Sequence, residues 1–560
     1  MPPVRRRPVA VGQARAQARA RLRRRLAVAL AIVALLAVGI AVWASQSGGG
    51  NGPAARSGLL ESLFQDDDHL IYASTPVVSQ TLDQLRALGV DRVRLTVLWA
   101  AIAPQPRSSA PPAHFDARNP AAYPAQAWIP YDRVVLLARQ RGIGVDFDLT
   151  APGPLWAMAP GAPTAKSATH FRPDPQAFAA FATAVGRRYD GRYTVRGGGA
   201  AVTLPRVGFW TIWNEPNQPG WLYPQWQGGG GQATMESPRL YRQYAAAAFG
   251  ALRATGHTTA RDTILIGELA PEGSEASRPS SPIPPLRFLR ALYCLDDGYR
   301  PLSGGAATAE GCPTGGGFAA ANPALFAPSG FAHHPYSFFR PPRASLSDPN
   351  WAPLSDLGRL EHALDRTFAA YGVSRSLPLY LTEYGYETDP PDPFRGVPLA
   401  TQAAYLDVAQ HLAAADLRVR GMAQFLLFDA ASNPAFPSGS QGYWSTFQTG
   451  LRFVGGAAKP SLAAYALPID IARPNVGAGT PVAVWGMIRA AANFTTQRAL
   501  VQWRPAAGAF RTVATVATHD PSGVLDARVS LPAGVGQVRL GWRAPRGGTL
   551  FSRAVAVRVG

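Results

Sequence analysis

Residues 209–221 read FWTIWNEPNQPGW, and this stretch decides how the rest of the chain is interpreted. An apolar run over 207–213 stops abruptly at the polar group NEPN (214–217), and Trp221 follows closely. Pro216 ends the strand because proline has no N–H to donate to a ladder. A turn that merely breaks a strand is the alternative interpretation, but such turns seldom have tryptophans on both sides. The pattern therefore predicts a buried strand whose tip presents an amide and a carboxylate to a pocket.

WNEPN (213–217) resembles the acid/base strand of the clan A retaining glycoside hydrolases, in which an Asn-Glu pair ends strand four of a (β/α)8 barrel. The following QPGW and the helix-like segment 237–252 look most like the family 39 and cellulase-like branches of bacterial enzymes. The resemblance implies a glycosidase that cleaves a β-linked oligo- or polysaccharide by double displacement. A non-catalytic carbohydrate-binding or scaffold protein of the cell envelope and a transglycosylase are the alternatives.

Strand-like and helix-like segments alternate between residues 59 and 467, as is typical of a parallel α/β fold, here a TIM barrel. The predicted strands are 70–72, 90–98, 143–149, 207–213, 263–269, 330–334, 377–382 and 421–428. Over 468–560 the pattern changes to short alternating runs separated by turns, which predicts a small all-β sandwich of immunoglobulin or fibronectin style. We expect this second domain to be a spacer or stabiliser.

Two glutamates are the candidate catalytic pair. Hydrolysis with retention needs two carboxyl groups ~5–5.5 Å apart. Glu215 and Glu383 each follow an apolar strand, and all strands of such a barrel end on one face, so the fold is predicted to bring them together. The resemblance implies that Glu215 is the acid/base and Glu383 the nucleophile.

The resemblance also assigns substrate-binding roles. Asn214 matches an amide that hydrogen-bonds the sugar 2-hydroxyl, Tyr336 matches a tyrosine that orients the nucleophile, and His334 matches a histidine of the same subsite. Arg94 matches an arginine beneath the nucleophile, where a cation favours the ionised carboxylate. Arg92 is the lesser candidate, because we expect it to point the other way on the pleat.

Other acidic residues at strand ends compete with this assignment. Each is an alternative sugar ligand, or an alternative nucleophile if the strand count slips: Asp146, Asp148, Glu268 and Asp429.

Clan A enzymes often have a tryptophan at the end of strand eight as a sugar platform, whereas Phe425 and Phe428 stand there in this chain. We consider the tryptophans near strand ends as stacking surfaces, although a core role is equally open for each of them. They are Trp99, Trp156, Trp221 and Trp444.

The charge distribution argues against a nucleic-acid partner. The 560-residue chain has a net charge of +19, but nine arginines fall in the first 25 residues, where no acidic residue occurs. No obvious basic block follows, so an arginine-biased solvated surface is the better explanation. We expect a monomer whose partner is its carbohydrate substrate.

The N-terminal segment predicts export. Residues 26–44 carry no charge and are long enough to span a bilayer as a helix, and the preceding arginines place residues 1–25 in the cytoplasm. We favour an uncleaved transmembrane signal-anchor over a cleaved secretory signal. Residues 45–58 are a Gly/Ser/Asn/Pro tether, so the folded part lies outside the membrane.

Cys294 and Cys312 are the only cysteines, and in an exported chain they predict a disulfide, with two free thiols as the alternative. Nearby histidines that would complete a zinc site are absent from the sequence. There is no phosphate-binding glycine loop, HExxH motif or EF-hand pattern, so we expect neither a metal nor another cofactor.

Overall fold

The computed structural model describes residues 58–197, 200–228, 233–545 and 547–560. The predicted cytoplasmic tail, the membrane anchor and almost all of the linker lie outside the described residues. Within the described ranges, no helix combines the length and the apolar character that a membrane crossing requires.

Eight parallel strands form a closed barrel, which confirms the predicted TIM-barrel fold. The strands are β1 (Glu61–Gln65), β2 (Arg92–Leu98), β3 (Gly144–Thr150), β4 (Phe209–Ile212), β5 (Thr263–Leu269), β6 (Gly330–His333), β7 (Leu379–Leu381) and β8 (Val419–Phe425). Each strand pairs with its neighbours in sequence, and β1 pairs with β8 to close the barrel.

A helix follows each strand and packs on the outside of the barrel. The helices are α1 (Thr75–Ala87), α2 (Ala125–Gln140), α3 (Pro175–Arg188), α4 (Glu236–Ala254), α5 (Pro285–Leu292), α6 (Leu357–Ala370), α7 (Leu399–Ala415) and α8 (Pro460–Ala466). With helices outside and side chains inside, strands such as β5 are buried along nearly their whole length.

The predicted first strand is wrong. Residues 70–72 lie at the end of a short helix, Asp67–Leu70, which Asp66 caps by accepting a hydrogen bond from the backbone N–H of His69. The true first strand reads ESLFQ and begins and ends with polar residues. Glu61 binds Arg92 and Gln65 binds Arg94 inside the barrel, so a buried strand has the sequence of a half-exposed one.

The C-terminal part is all-β and consists of two sheets around a second apolar core. One sheet contains Ile469–Asp470, Val482–Met487 and Val524–Val529. The other contains Asn475–Val476, Gln497–Pro505, Arg511–Thr518, Gly534–Arg543, Thr549–Phe551 and Val555–Val559. The tryptophans of this part, Trp485, Trp503 and Trp542, are all buried.

The loop between β5 and β6 is not a plain loop, since it contains α5 and three shorter helices. The sulfur atoms of Cys294 and Cys312 are bonded within it. The buried guanidinium of Arg242 on α4 donates to backbone carbonyl oxygens on both sides of this bridge, at Leu292 and Gly311, and so ties the insertion to the barrel.

The two parts meet at the N-terminal end of the barrel strands, opposite the end where the strands finish. Arg489 donates to the carbonyl oxygen of Tyr465 and to the hydroxyl of Ser62, each at 2.8 Å, and its guanidinium lies over the Tyr465 ring. Asn493 donates to Asp91 before β2, and Ser522 accepts from the backbone of residue 60. The position of these contacts fits a stabilising role for the C-terminal part.

We predict that Arg489→Met lowers the free energy of unfolding by about 2 kcal/mol, because it removes two buried hydrogen bonds from a charged donor. Urea unfolding followed by circular dichroism measures the change. The matched control is Arg498→Met at an exposed position of the C-terminal part, for which we expect a change below ~0.5 kcal/mol. Equal effects of the two substitutions would contradict a structural role for the interface.

Candidate active site

A cleft of about 720 Å³ opens at the end of the barrel where the strands finish. Asn214 and Glu215 from the end of β4, Tyr336 from the end of β6 and Glu383 from the end of β7 line it. These four residues were predicted from sequence to lie together, and the parallel order of the strands is what brings them together.

Glu215 and Glu383 face each other across the cleft. A carboxylate oxygen of each and a ring nitrogen of His334 all lie within 4.8 Å of one another. The side chains are 19% and 11% exposed, respectively, so both are reachable from the cleft while most of their surface is shielded.

Arg94 on β2 binds most of the polar groups beneath the cleft. Its Nη1 donates to Oε1 of Glu383 at 2.9 Å and to the side-chain oxygen of Gln65. Its Nη2 donates to Asn214 at 2.8 Å, Glu268 at 2.6 Å and Asp148 at 3.1 Å. The side chain has no exposed surface, so Arg94 lies under the nucleophile candidate as the resemblance implies.

His334 links three carboxylates. Its Nδ1 lies 3.0 Å from Oε1 of Glu215 and 3.6 Å from Oε2 of Glu383, and its Nε2 lies 2.6 Å from Oε2 of Glu268. Burial alone would lower the pKa of His334, but the charges of Glu383 and Glu268 and the hydrogen bonds to Glu215 and Glu268 outweigh it and raise this pKa to about 10. The ring is therefore an imidazolium at neutral pH and donates from both nitrogens.

The pKa values of Glu383 and Glu268 are shifted in opposite directions. Burial raises the pKa of Glu383 above its ordinary value, although the charges of His334 and Arg94 oppose the rise. Burial also acts to raise the pKa of Glu268, but there the charges of Arg94 and His334 prevail, and the pKa is lowered. Glu268 is thus the stable counter-ion of the two cations.

The competing acidic residues lie outside the cleft. Glu268 has no exposed surface and Asp148 is buried against Arg94. Asp146 is buried without a hydrogen-bond partner among the described side chains, and burial raises its pKa to about 7. Asp429 is engaged by Lys459 at 2.6 Å. Compared with these four acidic residues, Glu383 alone is placed to contact a ligand in the cleft.

The prediction for Arg92 is wrong in its direction. Residues 92 and 94 are two positions apart, so they share one face of β2, and both point into the barrel. Arg92 lies one layer below Arg94, pairs with Glu61 at 2.8 Å and covers the ring of Phe209. Arg92 therefore forms a structural ion pair in the barrel interior and does not contact Glu383.

The stacking predictions need correction. Trp99 has no exposed surface and packs among Trp156, Phe178 and Phe181, so it is a core residue. Trp444 is half-buried against Tyr443 and does not line the cleft, and neither does Trp156. Of the four predicted tryptophans only Trp221 lines it. The rest of the aromatic lining consists of Tyr336 and four phenylalanines: Phe338, Phe339, Phe425 and Phe447.

The loop after β4 is held by its own polar residues. Asn217, which completes the WNEPN stretch, is buried and donates to the carbonyl oxygens of Ala270 and Ile283. Tyr241 on α4 donates to the carbonyl of Ile212 and accepts from the N–H of Gly267, which ties the ends of β4 and β5 together. The second asparagine of the motif is therefore structural.

Sequence reasoning missed the polar residues at the end of β1. Gln65, Asp67 and Asp68 line the cleft, and burial raises the pKa of Asp67 to about 6. The sequence does not reveal them because its pattern predicts the first strand at 70–72, whereas the strand lies at 61–65. The residues that follow the predicted strand are therefore not the ones that face the pocket. No motif in the sequence indicates Phe338 as a residue of the cleft.

Glu215, His334 and Glu383 lie close enough to one another to be considered as metal ligands. Both ring nitrogens of His334 face carboxylates and, at a pKa of about 10, both carry protons. A metal needs a deprotonated ring nitrogen. The contacts of His334 with Glu215 and Glu268 are those of a charge-paired cluster.

Comparisons with known proteins give structural similarities at low sequence identity. The sequence matches no protein-family model and no curated protein. Among solved structures, it is similar to a β-glucuronidase of Bacteroides uniformis at 10% identity and a TM-score of 0.39, covering 90% of this chain and 46% of that one. The chain thus spans about half the length of that enzyme.

Two further solved structures are similar to about three quarters of the chain. The exo-β-1,4-mannosidase Op5Man5 of Opitutaceae bacterium strain TAV5 shows 15% identity and a TM-score of 0.42, covering 74% of this chain and 61% of that one. The GH5_18 protein of Streptomyces cattleya, solved with GlcNAc, shows 16% identity and a TM-score of 0.42, covering 76% and 86%. These are glycoside hydrolases, but at such similarity the function of this chain must be argued from its own residues.

We predict that the stabilising effect of His334 depends on pH. A histidine whose folded pKa is raised contributes stability that is complete below the unfolded value of about 6.5 and is lost progressively as the pH rises to about 10. The unfolding free energies of the wild type and of His334→Gln should therefore differ by several kcal/mol at pH 6 and converge by pH 10. Urea titrations at pH 6, 8 and 10 measure the gap.

The control is His362→Gln, at an exposed position of α6, for which we expect only a small change in the free energy of unfolding. A constant gap for His334→Gln would show that His334 is not charged at neutral pH.

Proposed function

We propose that this protein is a retaining glycoside hydrolase that cleaves O-glycosidic bonds of a β-linked glycan. The observation that carries the proposal is the approach of the Glu215 and Glu383 carboxylates to within 4.8 Å in a cleft of about 720 Å³. Retaining enzymes hold their two carboxyl groups ~5–5.5 Å apart, whereas inverting enzymes need ~6.5–9.5 Å to admit a water molecule. The spacing supports double displacement.

In the first step, Glu383 attacks the anomeric carbon while Glu215 gives its proton to the departing glycosidic oxygen. Oε1 of Glu383 accepts from Arg94, and Oε2 accepts from the hydroxyl of Tyr336 at 3.1 Å, so the carboxylate is fixed in orientation before the substrate binds. Oε1 of Glu215 accepts from His334, which leaves Oε2 to carry the proton to the leaving group.

In the second step, Glu215 takes a proton from water, and the water oxygen attacks the anomeric carbon and releases Glu383. Two inversions at one carbon give net retention. A sugar hydroxyl in place of water would give transglycosylation with the same residues.

Asn214 is oriented for substrate. Its side-chain oxygen accepts from Arg94 at 2.8 Å, so its amide N–H groups are the ones left to face the cleft. A donor there suits the sugar 2-hydroxyl, a contact that strengthens as the transition state forms.

We also propose that the catalytic part lies outside the cell membrane, attached through residues 26–44 or released after cleavage of that segment. The bond between Cys294 and Cys312 supports this location, because disulfides persist in oxidising compartments. The full chain should sediment with membranes, and a chain starting at residue 58 should stay in solution. Recovery of both in the same fraction would contradict the anchor.

We predict that Glu383→Gln lowers turnover by several orders of magnitude on every substrate, since no bond to the anomeric carbon can form. Glu215→Gln should lower it by about 10²–10⁴-fold on substrates whose leaving group needs a proton. On 2,4-dinitrophenyl glycosides, whose leaving group departs as an anion, kcat/KM should fall far less, whereas kcat should stay low because the second step still needs Glu215 as the base. Assays on a panel of aryl β-glycosides and of plant, fungal and bacterial polysaccharides measure these rates and identify the sugar.

The control is Glu275→Gln, an exposed glutamate outside the cleft, which should retain full activity. NMR of the first-formed product should show the β-anomer, and the α-anomer would contradict the retaining mechanism. Unchanged turnover in Glu383→Gln would exclude this nucleophile. Polysaccharide binding without turnover of any substrate would favour the scaffold alternative.

A further inference from the structure

Two arcs of loops surround the cleft. Glu215 ends β4, and the loops after β4, β5 and β6 form one continuous arc because these strands are neighbours in the barrel. Glu383 ends β7, and the loops after β7, β8, β1 and β2 form the opposite arc. The acid gives its proton to the leaving oxygen, so the released part of the substrate lies along the arc that carries Glu215.

The opposite arc contributes both polar and apolar side chains to the cleft. The polar ones include Gln65, Asp67, Asp68, Thr96, Glu387 and Thr449, and Phe425 and Phe447 lie on the same side. The non-reducing sugar is expected on this side, above Arg94, because Glu383 attacks its anomeric carbon.

The arc that carries Glu215 presents an apolar surface. Trp221, Pro271, Phe338 and Phe339 line it, and Phe338 and Phe339 are 46% and 62% exposed. Exposure of two adjacent phenylalanine rings to water is unfavourable, so an apolar group that covers them would bind favourably.

Two charged residues of this arc are paired with each other. Arg340 donates to Glu272 at 2.6 Å, and its guanidinium lies 5.1 Å from the ring centroid of Phe339. The side chain of Gln218 donates to the backbone oxygen of Glu272. The charges beside the two rings therefore compensate each other.

The ring of Phe338 is held in one position by its backbone and by neighbouring rings. Its φ of +53° is a conformation that phenylalanine rarely adopts, and it lies five residues beyond the end of β6 at His333. The ring stacks on Tyr336 at 6.0 Å, and Tyr336 stacks on Tyr384 at 6.2 Å. This column of rings runs from the buried core past the hydroxyl that holds Glu383 to the cleft wall.

We infer that the leaving group accepted by this cleft is an apolar aglycone, an alkyl or aryl group that packs on Phe338 and Phe339. The inference rests on the proposed function and names its substrate class. A further sugar as the leaving group is the alternative that the experiment distinguishes.

The experiment compares alkyl β-glycosides of one sugar, the one that the aryl panel selects, from methyl to octyl and below their micelle concentrations. In the wild type, kcat/KM should rise by about threefold for each added methylene until the wall is covered, as expected for burial of a CH₂ group. In Phe338→Asn, this dependence should flatten, so that octyl loses about tenfold while methyl changes by less than about threefold. Asparagine is chosen because it tolerates a positive φ, so the variant keeps the backbone course.

The matched control is Phe494→Asn, which replaces another exposed phenylalanine with a positive φ, of 58°, in the C-terminal part. It should keep the wild-type dependence on chain length. A second variant, Phe339→Ser, should weaken the dependence independently, and thermal unfolding shows that each variant is folded.

Three results would overturn the inference while leaving the proposed function intact. They are a flat dependence on chain length in the wild type, an unchanged dependence in Phe338→Asn and Phe339→Ser, and a disaccharide of the same sugar hydrolysed faster than its hexyl glycoside. Failure to hydrolyse any glycoside would instead overturn the proposed function, and this inference with it.

Discussion

The site depends on the burial of one cation, Arg94, inside the barrel. A guanidinium without exposed surface needs partners inside the protein, and here its Nη1 and Nη2 bind Glu383, Glu268, Asp148 and Asn214 at 2.6–3.1 Å. Removing one partner from such a group leaves an uncompensated buried charge, which typically costs about 3–5 kcal/mol. The same contacts that Arg94 requires for its own burial also hold the candidate nucleophile and the amide in place.

His334 supplies the second cation of this cluster and links its two sides. One ring nitrogen of His334 contacts Glu215, which faces the cleft, and the other contacts Glu268, which is fully buried. Through these two contacts the buried Glu268 fixes the position of His334, and His334 fixes the position of Glu215. Glu268 is best understood as a positioning residue. The charges of Arg94 and His334 lower its pKa in spite of its burial, so Glu268 is a negative charge under the cleft.

Strained backbone is concentrated around the cleft. Trp213, Glu215, Glu268, Phe338 and Leu426 all have positive φ values, and all lie at or just beyond the ends of barrel strands. Conformations of this kind cost of order ~1–3 kcal/mol each and persist only where the surrounding structure imposes them. The closed barrel and the C-terminal part, which binds its opposite end through Arg489, provide that support.

The sequence by itself determined the alternation of strands and helices, the barrel and the residues at the ends of β4, β6 and β7, because apolar runs that stop at polar residues are local signals. It did not show the first strand, since the partners of Glu61 and Gln65 are Arg92 and Arg94, about 30 residues away, and polar ends make a buried strand look exposed. Trp99 and Phe338 could not be told apart as core and cleft, because an aromatic residue has the same appearance in sequence whether its ring packs inward or faces solvent. Only the tertiary structure decided which carboxylates meet the cleft and which remain beneath it, because burial and charge pairing depend on groups that the fold brings together from distant parts of the chain.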